Sequence, residues 1–249
     1  MRIIIAFKTL KKHYFTVIPI YVITAFLTAL ASQLLPLIGT ILVLPLSIGV
    51  SYTMIHVIRY KRKETGFPLA LGFKATYYPY NVLYLFLRQL LYLAPLIVGL
   101  LISGVLTDAF MDIETRREIL VMNFIIFAIP SALISLMLAM VPYLLADPDF
   151  DQRKHNPLKI SAFIMKGNYL KLLVLRLFFV PWVLWLSSGF FLSLVSMYSR
   201  IFTGEIPYTN ITITWLISLP LTLLVFTPWY LMLHAILYDS VRHKLKDLR

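Results

Sequence analysis

The sequence predicts an all-α fold: a polytopic membrane helix bundle of about six transmembrane helices in three hairpins, with short cytoplasmic interfacial helices. Three observations carry that expectation. Of 249 residues, 60% are hydrophobic and only 14% charged, with a mean hydropathy of +0.83, far above a water-soluble domain. The apolar residues gather into six runs almost free of charge, each near the ~20 residues that a helix needs to cross a bilayer core. All but three of the 23 Lys and Arg fall to one side of those runs, the bias that sets orientation in membranes. The runs are continuous rather than alternating, which selects helices over a barrel. Residues 1–249 therefore read as a single integral membrane domain.

Residues 1–16 form a basic amphipathic segment, with Lys8, Lys11 and Lys12 on one helical face and Ile3, Ile4, Phe7 and Leu10 on another. No small-residue cleavage site follows the first apolar run, so the segment is expected to be retained rather than cleaved as a signal peptide. Spans follow at Val17 to Leu35 and Leu37 to Ile58. Leu35-Pro36-Leu37 between them fits a tight helical hairpin or a single broken segment. The elbow 59–81 contains Pro68 to Tyr78, with Tyr77-Tyr78 suited to the headgroup level and Pro79 ending the segment.

Spans three and four run from Val82 to Leu106 and from Leu120 to Leu145. In the elbow 146–169, Asn156 can cap a helix whose first turn holds Pro157. Ile160, Phe163 and Ile164 make its apolar stripe, Lys159 and Lys166 its basic face, and Gly167-Asn168 a sharp exit. Spans five and six cover Leu170 to Tyr198 and Ile211 to Leu237, before a basic tail at 238–249. Prolines are expected to bend the inward-running helices at Pro45, Pro130, Pro142, Pro220 and Pro228. The junctions before the three hairpins look alike, which fits internal repetition or the shared demands of topology.

The charge distribution places both termini and the two elbows in the cytoplasm. The opposite side keeps Arg116, Arg117 and Arg200 among Asp108, Asp112, Glu114, Glu118 and Glu205. A formal charge of +12 spread over four juxtamembrane positions reports orientation and anionic headgroups, and argues against nucleic acid as a partner.

The most specific stretch is Val141-Pro142-Tyr143-Leu144-Leu145-Ala146-Asp147-Pro148-Asp149, followed by Asn156 to Ser161 and then Met165-Lys166-Gly167-Asn168. With Ile129-Pro130 upstream and Pro181-Trp182, Pro228-Trp229-Tyr230, Ala235 and Tyr238 downstream, it resembles the bacterial integral membrane family called domain of unknown function nine-seven-five. Ser131 and Val180-Pro181-Trp182 depart from that family's pattern at two helix bends. The resemblance implies a multi-span bacterial plasma-membrane protein and no particular activity.

Chemistry is sparse. The chain has no cysteine. Asp147, Asp149 and Asp151 have the spacing that opens a calcium loop, but Gln152 and Leu158 stand where the turn glycine and the bidentate Glu should be. These acids are expected in a solvated loop facing Arg153 and Lys154. The five histidines include no pair at helical metal-ligand spacing, and neither a Gly-x-Ser-x-Gly turn nor a phosphate-binding loop is present. No metal, no cofactor and no enzymatic activity are therefore expected.

Arg88 and Arg176 are set inside apolar runs, where a charge is costly unless it snorkels or pairs. They either reach lipid phosphates or face a cytoplasm-open cavity that holds an anionic group, with Lys159 and Lys166 as further headgroup contacts. The expected function is a non-enzymatic accessory or binding component of the bacterial cell envelope, engaging anionic lipids or a membrane-protein partner. A small permease or membrane subunit of a transporter is the alternative.

Overall fold

The computed structural model describes residues 2–34, 39, 41, 43–60, 68–106, 113–151, 153–179 and 222–248. Expectations for Pro220, for Pro181-Trp182 and for most of spans five and six lie outside the described residues. The described residues are helical, with no strand among them. Among the described residues, three helical stretches are long and apolar enough to cross a membrane, over Tyr14–Ala31, Tyr78–Gly99 and Ile126–Ala146. In the first two windows only 11% is buried, so their large apolar side chains face outward, as on Phe26 and Leu93.

Helix α1 (Arg2–Lys12) buries Ala6 and Leu10 and exposes Lys8, Lys11 and Lys12; of the apolar face read from the sequence, Leu10 is buried while Ile4 and Phe7 stay exposed. After a turn at His13 the chain continues as α2 (Tyr14–Leu34), which tolerates Pro19 in its interior. Within the expected second span, residues 39, 41 and 43 are helical and α3 (Leu46–Tyr60) forms its described latter part. Pro45 stands in the turn at 44–45, between helical residue 43 and α3, and its carbonyl accepts the amide of Ile48 at 3.0 Å.

A 3₁₀ turn at Pro68–Phe73 lies flat on α3. The approach is close enough that a Cβ added to Gly49 would sit 2.8 Å from the Leu69 Cα, which only glycine permits. The chain then enters α4 (Tyr78–Leu106). Pro79 belongs to the first turn of α4 instead of ending the elbow, since that turn needs no amide from it.

Helix α5 (Ile113–Met137) packs along α4 and carries Pro130 within it. The fourth span was expected to run unbroken to Leu145, but the helix stops at Met137, turns over 138–140 and restarts as α6 (Val141–Ala146). The cause is Pro142, which has no N–H to return to the Leu138 carbonyl. Helix α7 (Pro157–Met165) begins as the sequence predicts. The Asn156 side chain accepts from the amides of Leu158 at 2.9 Å and Lys159 at 3.4 Å, with Pro157 in the first turn. Gly167 at φ +82 then makes the left-handed exit into α8 (169–179).

A π-turn at Thr222–Phe226 leads into α9 (Thr227–Val241) and a 3₁₀ turn at Arg242–Leu248. Pro228 explains the looser turn, because it leaves the Leu224 carbonyl without its helical donor. The core is built where α3, α6 and α9 meet, around Met54, Met140, Leu144, Leu233 and Tyr238. Helix α1 seals one flank of α9, with Phe7 edge-on to Trp229 at 5.3 Å.

Candidate functional site

The break between α5 and α6 frees backbone carbonyls inside the bundle, and polar side chains from three other helices take them up. Arg88 on α4 shares its Nε–H between the Tyr92 hydroxyl and the Leu138 carbonyl, the latter at 3.2 Å. That carbonyl is the one Pro142 cannot serve. Arg176 on α8 donates from Nη1 to the Ser135 hydroxyl at 2.6 Å and from Nη2 to the Ser135 carbonyl at 3.1 Å. Ser161 on α7 spans the gap, donating to the Met137 carbonyl at 2.8 Å and accepting the Met140 amide at 3.2 Å. The Leu138 carbonyl keeps a turn bond from the Val141 amide at 3.3 Å, and the three side chains add the further donors that a break in a low-dielectric interior calls for.

Arg88 and Arg176 also line one cavity of about 240 Å³ where α2, α3, α4, α6, α8 and α9 converge. Its wall is mostly apolar, and polar side chains enter it from several helices: Ser47 and Ser51 from α3, Tyr143 from α6, and Tyr230 and His234 from α9. At 1.5 Å per helical residue, Arg88 lies about 15 Å along α4 from Tyr78. No Asp or Glu lines the cavity among the described residues. Both guanidiniums thus have neutral hydrogen-bond acceptors and no countercharge in the cavity wall.

The unsatisfied groups point to the same place. Among the described residues, three buried side-chain polar atoms have no hydrogen-bond partner: Asn81 Oδ1, Arg176 Nε and His234 Nε2. Two of the three belong to cavity residues. His234 is 6% exposed, and its ring is held between Tyr230 at 4.2 Å and Tyr143 at 6.5 Å, both edge-on. Tyr143 is fixed in turn by donating to the Leu231 carbonyl at 2.9 Å. Buried polar atoms are seldom left without partners.

A second polar cluster closes the end of the bundle nearer the chain termini. Asp147, which follows α6, was expected in a solvated loop facing Arg153 and Lys154, and the structure corrects this: its side chain is fully buried. Arg59 at the end of α3 grips it through two parallel bonds of 3.1 and 2.9 Å, the strongest geometry open to this pair. The Tyr238 hydroxyl donates to Oδ2 at 2.7 Å, Arg242 Nε lies 3.2 Å from the same oxygen, and the Asp149 amide donates to Oδ1 at 3.1 Å. Arg59 also reaches Asp239 at 3.0 Å, and Arg242 reaches Asp149.

Burial would weaken Arg59 as an acid-stable cation, but its hydrogen bonds to Asp147 and Asp239 and the Asp147 charge more than offset that and hold its proton more tightly than usual. Burial first, and the Asp147 charge behind it, push Tyr238 well above the ordinary phenol value, so it remains a donor. Only Asp151 behaves as the sequence suggested, with Lys154 at 3.8 Å in an exposed pair. The residues missed by sequence reasoning are therefore Arg59, Tyr238, Asp239 and Arg242.

Lys159 and Lys166 are exposed on and just after α7 and do not line the cavity. The structure brings Arg88 and Arg176 together and leaves these lysines apart from them. Among the described residues no group of three His, Asp or Glu is arranged to hold a metal ion.

Residues 3–245 match a family model whose description is protein of unknown function (DUF975). No curated protein and no solved structure matches the chain.

Proposed function

We propose, for a chain that belongs to the DUF975 family and takes no assigned activity from it, a non-enzymatic membrane protein that holds an anionic amphiphile in the Arg88/Arg176 cavity. The observation that carries the reading is that two guanidiniums line one partly open cavity with no carboxylate in its described wall. In a low-dielectric setting an unmatched charge is expensive, and a bound anion removes that cost. The opposite arrangement a short distance away sharpens the contrast, since Arg59 and Arg242 are matched by Asp147, Asp149 and Asp239.

In this reading the chain spans a bacterial plasma membrane with both termini and the basic elbows cytoplasmic. The three apolar helices support membrane insertion, and the bias of Lys and Arg supports the orientation. Six spans in three hairpins are the arrangement that reconciles that bias with termini on one side. The basic elbows, including Lys159 and Lys166, supply general attraction to anionic headgroups, and the cavity supplies selection.

The test is mass spectrometry of what copurifies. The unsubstituted protein should carry an anionic amphiphile that Arg88→Gln and Arg176→Gln lose; equal retention by both variants would remove the cavity from the account. A transport role is the second reading, favoured by the helix broken at 138–140 beside the cavity, since discontinuous helices flank substrate sites in transporters. It predicts that reconstituted protein moves the amphiphile between leaflets, whereas a binding component does not.

A further inference from the structure

Beyond the sign of the ligand, the donors in the cavity specify its charge and shape. Arg88 makes its described hydrogen bonds through Nε, so among the described residues its two Nη groups have no protein acceptor. Arg176 is the converse, with both Nη groups engaged at Ser135 and Nε unpartnered. His234 adds Nε2, nine-tenths buried and unpartnered. Three residues that line one space of about 240 Å³, from α4, α8 and α9, thus carry nitrogen positions without a partner among the described residues, those of Arg176 and His234 buried within its wall.

A planar carboxylate presents two oxygens to such an arrangement, whereas a phosphoryl group presents three terminal oxygens in a tetrahedral array. Charge discriminates further: two guanidiniums are matched by a phosphomonoester, which carries about −1.5 to −2 near neutral pH, and are left half matched by a phosphodiester. The cavity has the volume of roughly eight water molecules at about 30 Å³ each, enough for a phosphoryl head with its remaining hydration. Resting on the anionic reading of this cavity, we infer that its ligand is a terminal phosphomonoester, with Arg88, Arg176 and the Nε2–H tautomer of His234 each donating to a different oxygen.

The inference is tested with the full chain in nanodiscs of zwitterionic lipid doped with phosphatidic acid, a monoester, or phosphatidylglycerol, a diester, with bound lipid read by native mass spectrometry. Phosphatidic acid should be retained about tenfold more strongly, as one additional charge-assisted contact implies. His234→Leu should erase most of that preference, and His234→Gln, which keeps a donor, should preserve part of it. The comparison of lipids on the unsubstituted protein needs no variant to fold.

Equal retention of both lipids, lost in Arg88→Gln, would overturn the monoester inference while leaving the anionic cavity intact. Retention of either lipid that ignores both arginines would overturn the two together. Inorganic phosphate in the aqueous phase separates the sources: displacement of phosphatidic acid at equal concentration supports phosphoryl recognition with a soluble ligand, and failure to displace supports a lipid head.

Discussion

Replacing Asp147 by Ala should lower the unfolding free energy by about 3–5 kcal/mol, the range for removing one partner from a buried ion pair. The side chain is fully buried and receives Arg59, Arg242, Tyr238 and a backbone amide. Its loss strands the Tyr238 phenol and leaves Arg59 and Arg242 only their more exposed partners Asp239 and Asp149, and the cost comes from those under-satisfied groups more than from the contact removed. For a chain of this length each kcal/mol moves the midpoint by roughly 2–4 °C, so thermal unfolding followed by tryptophan fluorescence should fall by roughly 10 °C. Asp151→Asn serves as the contrast. Its pair with Lys154 is long and exposed, so the expected change is within about 0.5 kcal/mol. Equal effects at the two positions would mean that Asp147 is not the clamp described here.

The second large effect is linkage between ligand and stability. A ligand present at a hundredfold its dissociation constant stabilises the folded form by about 2.7 kcal/mol, roughly 5–10 °C on the scale above. Purified protein given a phosphomonoester amphiphile should show that upward shift. Arg88→Gln and Arg176→Gln should remove most of it, because each withdraws a charge from the cavity. Without ligand the same variants should unfold close to the unsubstituted protein or slightly above it. Glutamine can still donate toward the Leu138 or Ser135 carbonyl, and a charge with no counterion in the cavity wall has been removed. A fall of several degrees without ligand, with the ligand shift intact, would assign the arginines to bracing the broken helix alone.

What the sequence makes legible is local. The Asn156 cap with Pro157 behind it and the left-handed exit at Gly167 each follow from residues within a turn or two of one another. The arginines were conspicuous because a charge in an apolar run stands out, and their shared cavity could be imagined though not located. The Asp147 clamp was illegible for the opposite reason. Arg59 lies 88 positions before Asp147 and Tyr238 lies 91 after it, so nothing in the neighbouring residues distinguishes a buried acid from a solvated one.

The helix break at 138–140 sits between these cases. Pro142 announces a disturbance, but whether it bends or breaks a helix depends on distant donors for the freed carbonyls, and Arg88, Arg176 and Ser161 were not recognisable as those donors. Pro79 teaches the same lesson from the other side: proline at a helix start and proline within a helix look alike until the first turn is placed.

The claim that an anion sits in the cavity, rather than on the basic surface, is tested most directly by photolabelling with an anionic amphiphile whose reactive group lies beside its phosphoryl head. In membranes containing the full chain, the account predicts crosslinks in the α9 segment holding Tyr230 and His234 and in the α3 segment holding Ser47 and Ser51, lost in the Arg88→Gln, Arg176→Gln double variant. Labelling confined to the exposed α7 segment around Lys159 and Lys166, and unchanged by the double substitution, would contradict it.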